Sequence, residues 1–543
     1  MPHSMLSMSR ASHRSVARLW AALAIASITP AVTLAAALPA PPQTFDSSYF
    51  APTGRMVKVL AGENLQAALD NAKLGDTIVL QAGATFRGPF KLPNKTAGSG
   101  WIYVVSSHLS NLPPPGTRVG PANATNMPKI VSPPFYNALK TVANSHHFRF
   151  VGIEFAPAPG VTNTYELIRI GNSDTSPTTL AHHIVFDRCY VHGIPNTNDQ
   201  RGIELDGAYV AVVDSYIGNF QWVHADTQGL IAFNTTGPLQ IRNNYIEAAG
   251  ENVMFGGADS SAPDLVPADI EISNNYFFKP LSLIPTKYVV KNLLEFKAAR
   301  RVVATGNTFE NNPAKSQDGF AVLITPRNQS GTAPWSVTSD IAITNNVLIN
   351  VGSGFNIAGG DYPRPSLPTE RILIRNNLIG VTGLNGADGR TFQFTGGGGD
   401  YTIDHNTIIN SASPPGSPAS DLAMAHSKTS NFVFTNNLTT RTQFGFFGSG
   451  VGEGTRALNT NFTSWTFSRN VLVAATAGSY PAGNFFPTDV AAVRFANHAG
   501  GNYTLAADSP YKNAGTDGTD IGANRALATT AILPNPPNNV VVK

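Results

Sequence analysis

The sequence predicts an all-β chain wound as a parallel solenoid, and three observations lead there. The first is a phrase repeated eight times between residues 243 and 470: an apolar alternation, a polar pair ending in Asn, then another apolar residue. It reads IRNNYI at Asn243-Asn244, ISNNYF at Asn274-Asn275, ATGNTF at Gly306-Asn307 and ITNNVL at Asn345-Asn346. It returns as IRNNLI at Asn376-Asn377, IDHNTI at His405-Asn406, FTNNLT at Asn436-Asn437 and FSRNVL at Arg469-Asn470. The closing Asn recurs every 29 to 39 residues, a period that marks a stacked array of similar units. The second observation is the pattern inside the unit, which alternates with period two and shows no helical spacing. The third is composition: 42% hydrophobic, 13% charged, 49 Gly and 39 Pro suit strands and turns. A solenoid also explains how 543 residues need not split into several domains, since each repeat touches only its neighbours.

The Asn pair has a physical role in such a coil. Every rung must turn sharply at the same place, and Asn tolerates the left-handed conformation while its amide bonds nearby backbone. Stacked rungs would place each amide roughly 4.8 Å above the last, close enough for a hydrogen-bonded ladder. Weaker copies upstream, VFDRCYV around Arg188 and VVDSYI around Ser215, bring the expected number to about ten rungs or more.

Taken in order along the chain, residues 1-37 have the parts of a signal peptide. A basic and polar start through Arg18 precedes the apolar run Leu19 to Leu38, which ends in Ala35-Ala36-Ala37. The rival reading is a membrane anchor, against which Pro30 and the small-residue end weigh; the expected location is secreted or periplasmic, with no membrane span in the mature chain. Residues 38-55 read as a Pro-rich linker. Residues 56-145 read as an N-terminal cap and first rungs: Leu65, Ala68 and Leu69 have helical spacing, followed by a turn at Gly75-Asp76 and a strand from Ile78 to Leu80. A short helix there would cover the open edge of the first rung. Residues 146-480 read as the β-helix repeats, and 481-543 as C-terminal rungs and cap, where the repeat is lost in Gly- and Asp-rich sequence.

Several classes are disfavoured. A net charge of +3 predicts neither nucleic acid nor a membrane surface as partner. The single Cys189 leaves no intramolecular disulfide and reads as a packed thiol. Gly396 to Gly399 lacks the Lys-Ser/Thr of a phosphate loop, and there is no G-x-S-x-G elbow. His146-His147 and His182-His183 lack metal spacing and read as turn or edge residues, and a monomer is expected.

The segments LQAALDNAKLGDTIVLQAGATFRG and LAADSPYKNAGTDGTDIGA, with the Asn rungs between them, resemble right-handed parallel β-helix proteins of the pectate-lyase-like superfamily. GENVMFGGAD, VVKNLLEFKAARRVV and APWSVTSDIAITNN are similar to a group of secreted bacterial β-helix proteins of uncertain activity. The resemblance implies a right-handed coil and a polysaccharide partner, but the superfamily holds lyases, hydrolases, epimerases and non-catalytic adhesins on one scaffold.

One strand per rung can be aligned by its apolar residues. Ile203, Leu230, Val253, Leu294, Phe320, Phe355 and Phe392 form one inward column; Leu205, Ala232, Phe255, Phe296, Val322, Ile357 and Phe394 form the next. The outward column between them is then Glu204, Ile231, Met254, Glu295, Ala321, Asn356 and Gln393. The superfamily resemblance places polysaccharide grooves on this sheet, and insertions at 280–288, 327–335 and 359–367 would raise walls beside it.

The central rung presents Glu295 and Lys297 on one face, with Asp259, Arg300, Arg301, Arg327 and Asp361 in flanking loops or turns. A lyase on a uronate needs a base for the C5 proton and a cation for the sugar carboxylate. Lys297 as base, Arg327 (or Arg300) as carboxylate clamp and Glu295 as orienter form the candidate catalytic set; Asp259, Arg300, Arg301, Asn356 and Asp361 are candidate substrate contacts. A hydrolase would need two carboxyl groups about 5 to 9.5 Å apart. Glu204 lies three rungs from Glu295, too far, whereas Asp259 or Asp361 could pair with it. The remaining readings are a non-catalytic glycan binder and a solvated Glu295–Lys297 surface pair.

Gln228, Glu251, Asn292 and Asp318 form a second polar column, expected as a hydrogen-bonded stack at a rung corner or, alternatively, as oxygen ligands for calcium. No calcium loop of the usual spacing is present, and His224 with Asp226 is too thin a signal for zinc.

Overall fold

The computed structural model describes residues 36–171, 173–412, 420–440 and 442–524. The predicted signal peptide therefore lies, but for its last two residues, outside the described residues. The chain winds as a right-handed parallel β-helix, with one sheet of 14 strands and two of 13. One coil shows the path. Leu294–Phe296 lies in the first 13-stranded sheet, Ala299–Thr305 in the 14-stranded sheet, Thr308–Asn312 in the second 13-stranded sheet, and Phe320–Ile324 returns to the first, one rung on.

The Asn pair divides the labour that the sequence assigned to one residue type. The first member takes the left-handed turn, with φ of 53° at Asn243, 56° at Asn274, 56° at Asn345, 55° at Asn376 and 57° at Asn436. The second is buried and forms the ladder: Asn244 Nδ2 donates to Asn275 Oδ1, Asn275 to Asn307, Asn307 to Asn346 and Asn346 to Asn377, each at 3.0 Å. The run continues through Asn406, Asn437 and Asn470. Each ladder Oδ1 also accepts the backbone N–H of the preceding Asn, as Asn346 does from Asn307 at 2.8 Å. The interior is a continuous apolar column in which like residues stack, for example Phe255 on Phe296 with ring centres 5.6 Å apart.

The expected N-terminal cap is a helix from Leu65 to Asn71, with Leu65 and Leu69 turned into the core and the Asn64 side chain accepting the Ala67 N–H. A second short helix, Thr455–Asn461, buries Ala457 and Leu458 and was not foreseen. Its seven residues carry no clear sequence stop or start signal. At the far end, residues 522–524 return along the Asn ladder, where the Gly522, Ala523 and Asn524 N–H groups donate to Asn436 O, Thr407 Oγ1 and Asn376 Oδ1.

The stretch read as a linker is packed as a strap across the 14-stranded sheet. The N–H groups of Ala40 and Gln43 donate to Oδ1 of Asp340 and Asp269 at 3.0 and 2.9 Å. These aspartates occupy left-handed corner positions, alternating with Arg301 and Arg371, which bond them from the next rung.

The alignment of the candidate-site strands needs one correction. Leu294 pairs with Val322 and Phe296 with Ile324, so Phe320 belongs opposite Ser353. The outward partner of Glu295 is Leu323 and not Ala321. A two-residue slip keeps every side chain on its own face, and alternation of period two cannot detect it.

Candidate active site

The groove face is the outward side of the sheet containing Leu294–Phe296. Its column runs Glu204, Ile231, Met254, Glu295, Leu323, Asn356 and Gln393. Two walls flank it. On one side the 280–291 loop is held by Lys315 Nζ, which donates to Leu283 O and Thr286 O at 2.9 and 2.8 Å. On the other, Asp259 Oδ2 accepts from Ser330 N–H, Thr332 N–H and Thr332 Oγ1, and Trp335 Nε1 donates to Ser260 Oγ. Asp259 therefore shapes a loop, with one oxygen committed to three donors.

Glu295 is not part of a solvated pair. It is 1% exposed, receives Asn292 Nδ2 at 3.0 Å and lies 3.4 Å from Lys297 Nζ. Arg327 stands on the next rung: its N–H donates to Lys297 O at 2.8 Å. The Arg327 guanidinium, about half exposed, meets Asp361 Oδ1 at 2.9 Å, while Asp361 Oδ2 accepts Asn328 N–H. Lys297, Glu295, Arg327 and Asp361 are thus brought together. Asn356 lies farther along the column, accepting from Gln393 Nε2 at 3.3 Å.

Arg300 and Arg301 are separated from this group. Both lie in the 14-stranded sheet, where Arg300 pairs with Ala268 and Ser339. Arg301 clamps Asp269 bidentately at 2.7 Å, beneath the strap. The turn at residues 297–299 swings the chain onto another face, a change of direction that consecutive residue numbers do not reveal. Arg301→Ala is expected to cost about 1 kcal/mol of stability and to leave polysaccharide affinity unchanged, measured by denaturant unfolding and by binding titration.

The second polar column is a buried charge cluster more than a corner stack. Gln228 Nε2 donates to Glu251 Oε2 at 2.6 Å, and Lys291 bonds Asp226 and lies 3.6 Å from Glu251 Oε1. Asp318 is exposed, displaced by the same two-residue slip. Burial, then the Glu295 and Asp226 carboxylates, push the Glu251 carboxyl upward against the pull of Lys291 and Lys297. Gln228 Oε1, Glu251 Oε1 and Asn292 Oδ1 are buried without a hydrogen-bond partner. Such oxygens suit a hard cation, although the Lys291 ammonium already places positive charge beside Glu251. Sequence reasoning missed Lys291 and weighed Asp226 only with His224 for zinc, because both Lys291 and Asp226 lie in irregular segments outside the aligned strands.

The raised Glu251 carboxyl has a consequence for pH. Above the ordinary glutamate value of 4.5 the folded chain holds a proton that the unfolded chain has released, so this group makes stability fall as pH rises through that window. Thermal midpoints of Glu251→Gln relative to the native chain should therefore increase progressively with pH; a difference independent of pH would contradict the assignment.

The fold is a right-handed parallel β-helix, the architecture implied by the superfamily resemblance, with Glu295, Lys297, Arg327 and Asp361 gathered beside one of its sheets. Among solved structures it is similar to a PL6 family alginate lyase, AlyGC, at 15% identity and a TM-score of 0.49, covering 87% of this chain and 59% of that one. It is also similar to the catalytic unit of a GH87 alpha-1,3-glucanase from Streptomyces thermodiastaticus, at 12% identity and a TM-score of 0.44, covering 83% and 70%. A mannuronic acid specific family 6 lyase from human gut microbiota matches at 12% identity and a TM-score of 0.41, covering 80% and 83%. This chain spans about three fifths of the length of AlyGC. No family model and no curated protein matches it.

Proposed function

We propose that the groove binds an acidic, uronate-containing polysaccharide and cleaves it by β-elimination. The observation that supports this reading is the placement of Lys297 and Arg327 on successive rungs, each beside its own carboxylate, Glu295 and Asp361. Lys297 Nζ takes the C5 proton, and Arg327 binds the sugar carboxylate whose charge grows as that proton leaves. The electron pair forms the C4–C5 double bond, the C4–O bond breaks, and the leaving oxygen takes a proton from water, with the proton on Lys297 Nζ returned to solvent before the next turnover. Glu295 positions Lys297, Asp361 positions Arg327, and Asn356 meets the sugar farther along the column. A hydrolytic reading finds less support. Glu251 and Glu295 are buried, and Asp259 is engaged with its loop.

The chain is further proposed to be exported, with residues 1-37 removed, and to act as a monomer; among the described residues no helix is long and apolar enough to cross a membrane. Incubation with a panel of uronate polymers tests the reaction. The unsaturated product absorbs in the ultraviolet, so absorbance should rise with chain shortening. New reducing ends without that absorbance would make the protein a hydrolase, and binding without cleavage would make it a glycan receptor.

A further inference from the structure

The two His-His pairs, which sequence spacing gave no reason to connect, meet on adjacent rungs of the 14-stranded sheet. His146 begins the strand His146–Val151, His182 begins His182–Asp187, and the two are register partners. The rings stack in two columns: His146 on His182 at 4.9 Å with planes 2° apart, and His147 on His183 at 4.5 Å with planes 5° apart. Within each pair the Nδ1 atoms approach to 2.8 Å. One ring nitrogen from each of His147, His182 and His183 lies within 4.8 Å of the other two.

Protons can be placed on two of these rings. The Lys95 carbonyl, 2.7 Å from His146 Nε2, can only accept, so that nitrogen carries hydrogen and His146 Nδ1 is left with a lone pair. His147 Nδ1 must then donate across the 2.8 Å contact, which leaves a lone pair on His147 Nε2. A ring N–H held by a backbone carbonyl is the arrangement that orients a metal-binding imidazole. Aromatic rings close the sides. Trp101 lies 5.1 Å from His147, and Tyr209 stacks on His183 at 4.4 Å. The four imidazoles are partly exposed, so an ion can reach them.

We propose that His147, His182 and His183, with His146 as a fourth or supporting imidazole, form a binding site for a divalent transition metal of the zinc, copper or nickel class, separate from the groove. The donor set is all nitrogen, which suits those ions and not calcium or magnesium. Coordination takes a lone pair from each ring; at His147 it is available at Nε2 directly, or at Nδ1 after the proton moves to Nε2. The ion would pin two neighbouring rungs together in a chain that has no disulfide.

The test is a titration of the tag-free full chain with zinc, followed by calorimetry and by Trp fluorescence, with calcium as the control. One zinc per chain should bind, the thermal midpoint should rise with zinc, and X-ray absorption should show nitrogen ligands at about 2.0–2.1 Å. His182→Ala and His183→Ala should each weaken binding by at least roughly 10- to 100-fold, and His146→Ala by less. If either variant fails to fold, absorption on the native chain still decides by ligand type. Oxygen-dominated ligation, no zinc uptake, or affinity unchanged in well-folded variants would overturn the site and leave the imidazoles as a stacking ladder only.

Discussion

Lys297→Arg is expected to remove the eliminase activity, lowering turnover by about a hundred- to ten-thousand-fold, while leaving the fold intact. Arginine keeps a cation beside the buried Glu295 carboxylate but cannot be deprotonated to serve as a base. Lys297→Ala should be equally inactive and, unlike a simple surface truncation, also less stable. It removes the ammonium 3.4 Å from the buried Glu295 carboxylate, leaving that group the Asn292 amide and the weaker influence of the Lys291 charge. Initial rates on the polymer that the native chain cleaves, read beside denaturant unfolding of both variants, check the two halves separately. An active Lys297→Arg would remove Lys297 from the role of base.

Asn346→Ala is expected to destabilise the helix by on the order of 3–5 kcal/mol, with the damage centred on the rungs it joins. The native side chain donates to Asn377 Oδ1 and Ala304 O and accepts from the Asn307 backbone and side-chain amides. The Asn307 backbone N–H would lose its acceptor in a buried ladder, and Asn377 Oδ1 and Asn307 Nδ2 would each keep one bond, to the Asn346 N–H and Ile272 O. Asn345→Gly, one residue earlier, should change stability less, because Gly adopts the left-handed turn readily and the principal bond lost, accepted from Asn376 Nδ2 at 2.6 Å, is only part-buried. Denaturant midpoints for the two variants test the division of roles within the pair; similar losses would refute it.

Most of the architecture was legible because the Asn pair marks the same turn in every rung and period-two alternation separates core from surface. What alternation cannot report is displacement by an even number of residues, and the Phe320 rung slipped by two for that reason. Nor does it say how far a side chain that points outward is covered by loops. Glu295 faces outward as expected and is nonetheless buried, in contact with Asn292 and Lys297. Arg301 illustrates a third limit. Four residues beyond Lys297, the coil has already turned onto another sheet, where the partner of the arginine is an aspartate under the N-terminal strap. The His pairs are the converse case, 36 residues apart in the chain and register partners in space.

The proposed elimination requires Lys297 and Arg327 to face one sugar from successive rungs. A crystal structure of Lys297→Ala soaked with a uronate oligomer tests this most directly. The expected result is a uronate carboxylate on the Arg327 guanidinium, with C5 of that sugar turned toward the space vacated at residue 297. An oligomer bound elsewhere on the coil, or one whose carboxylate avoids Arg327, would contradict it.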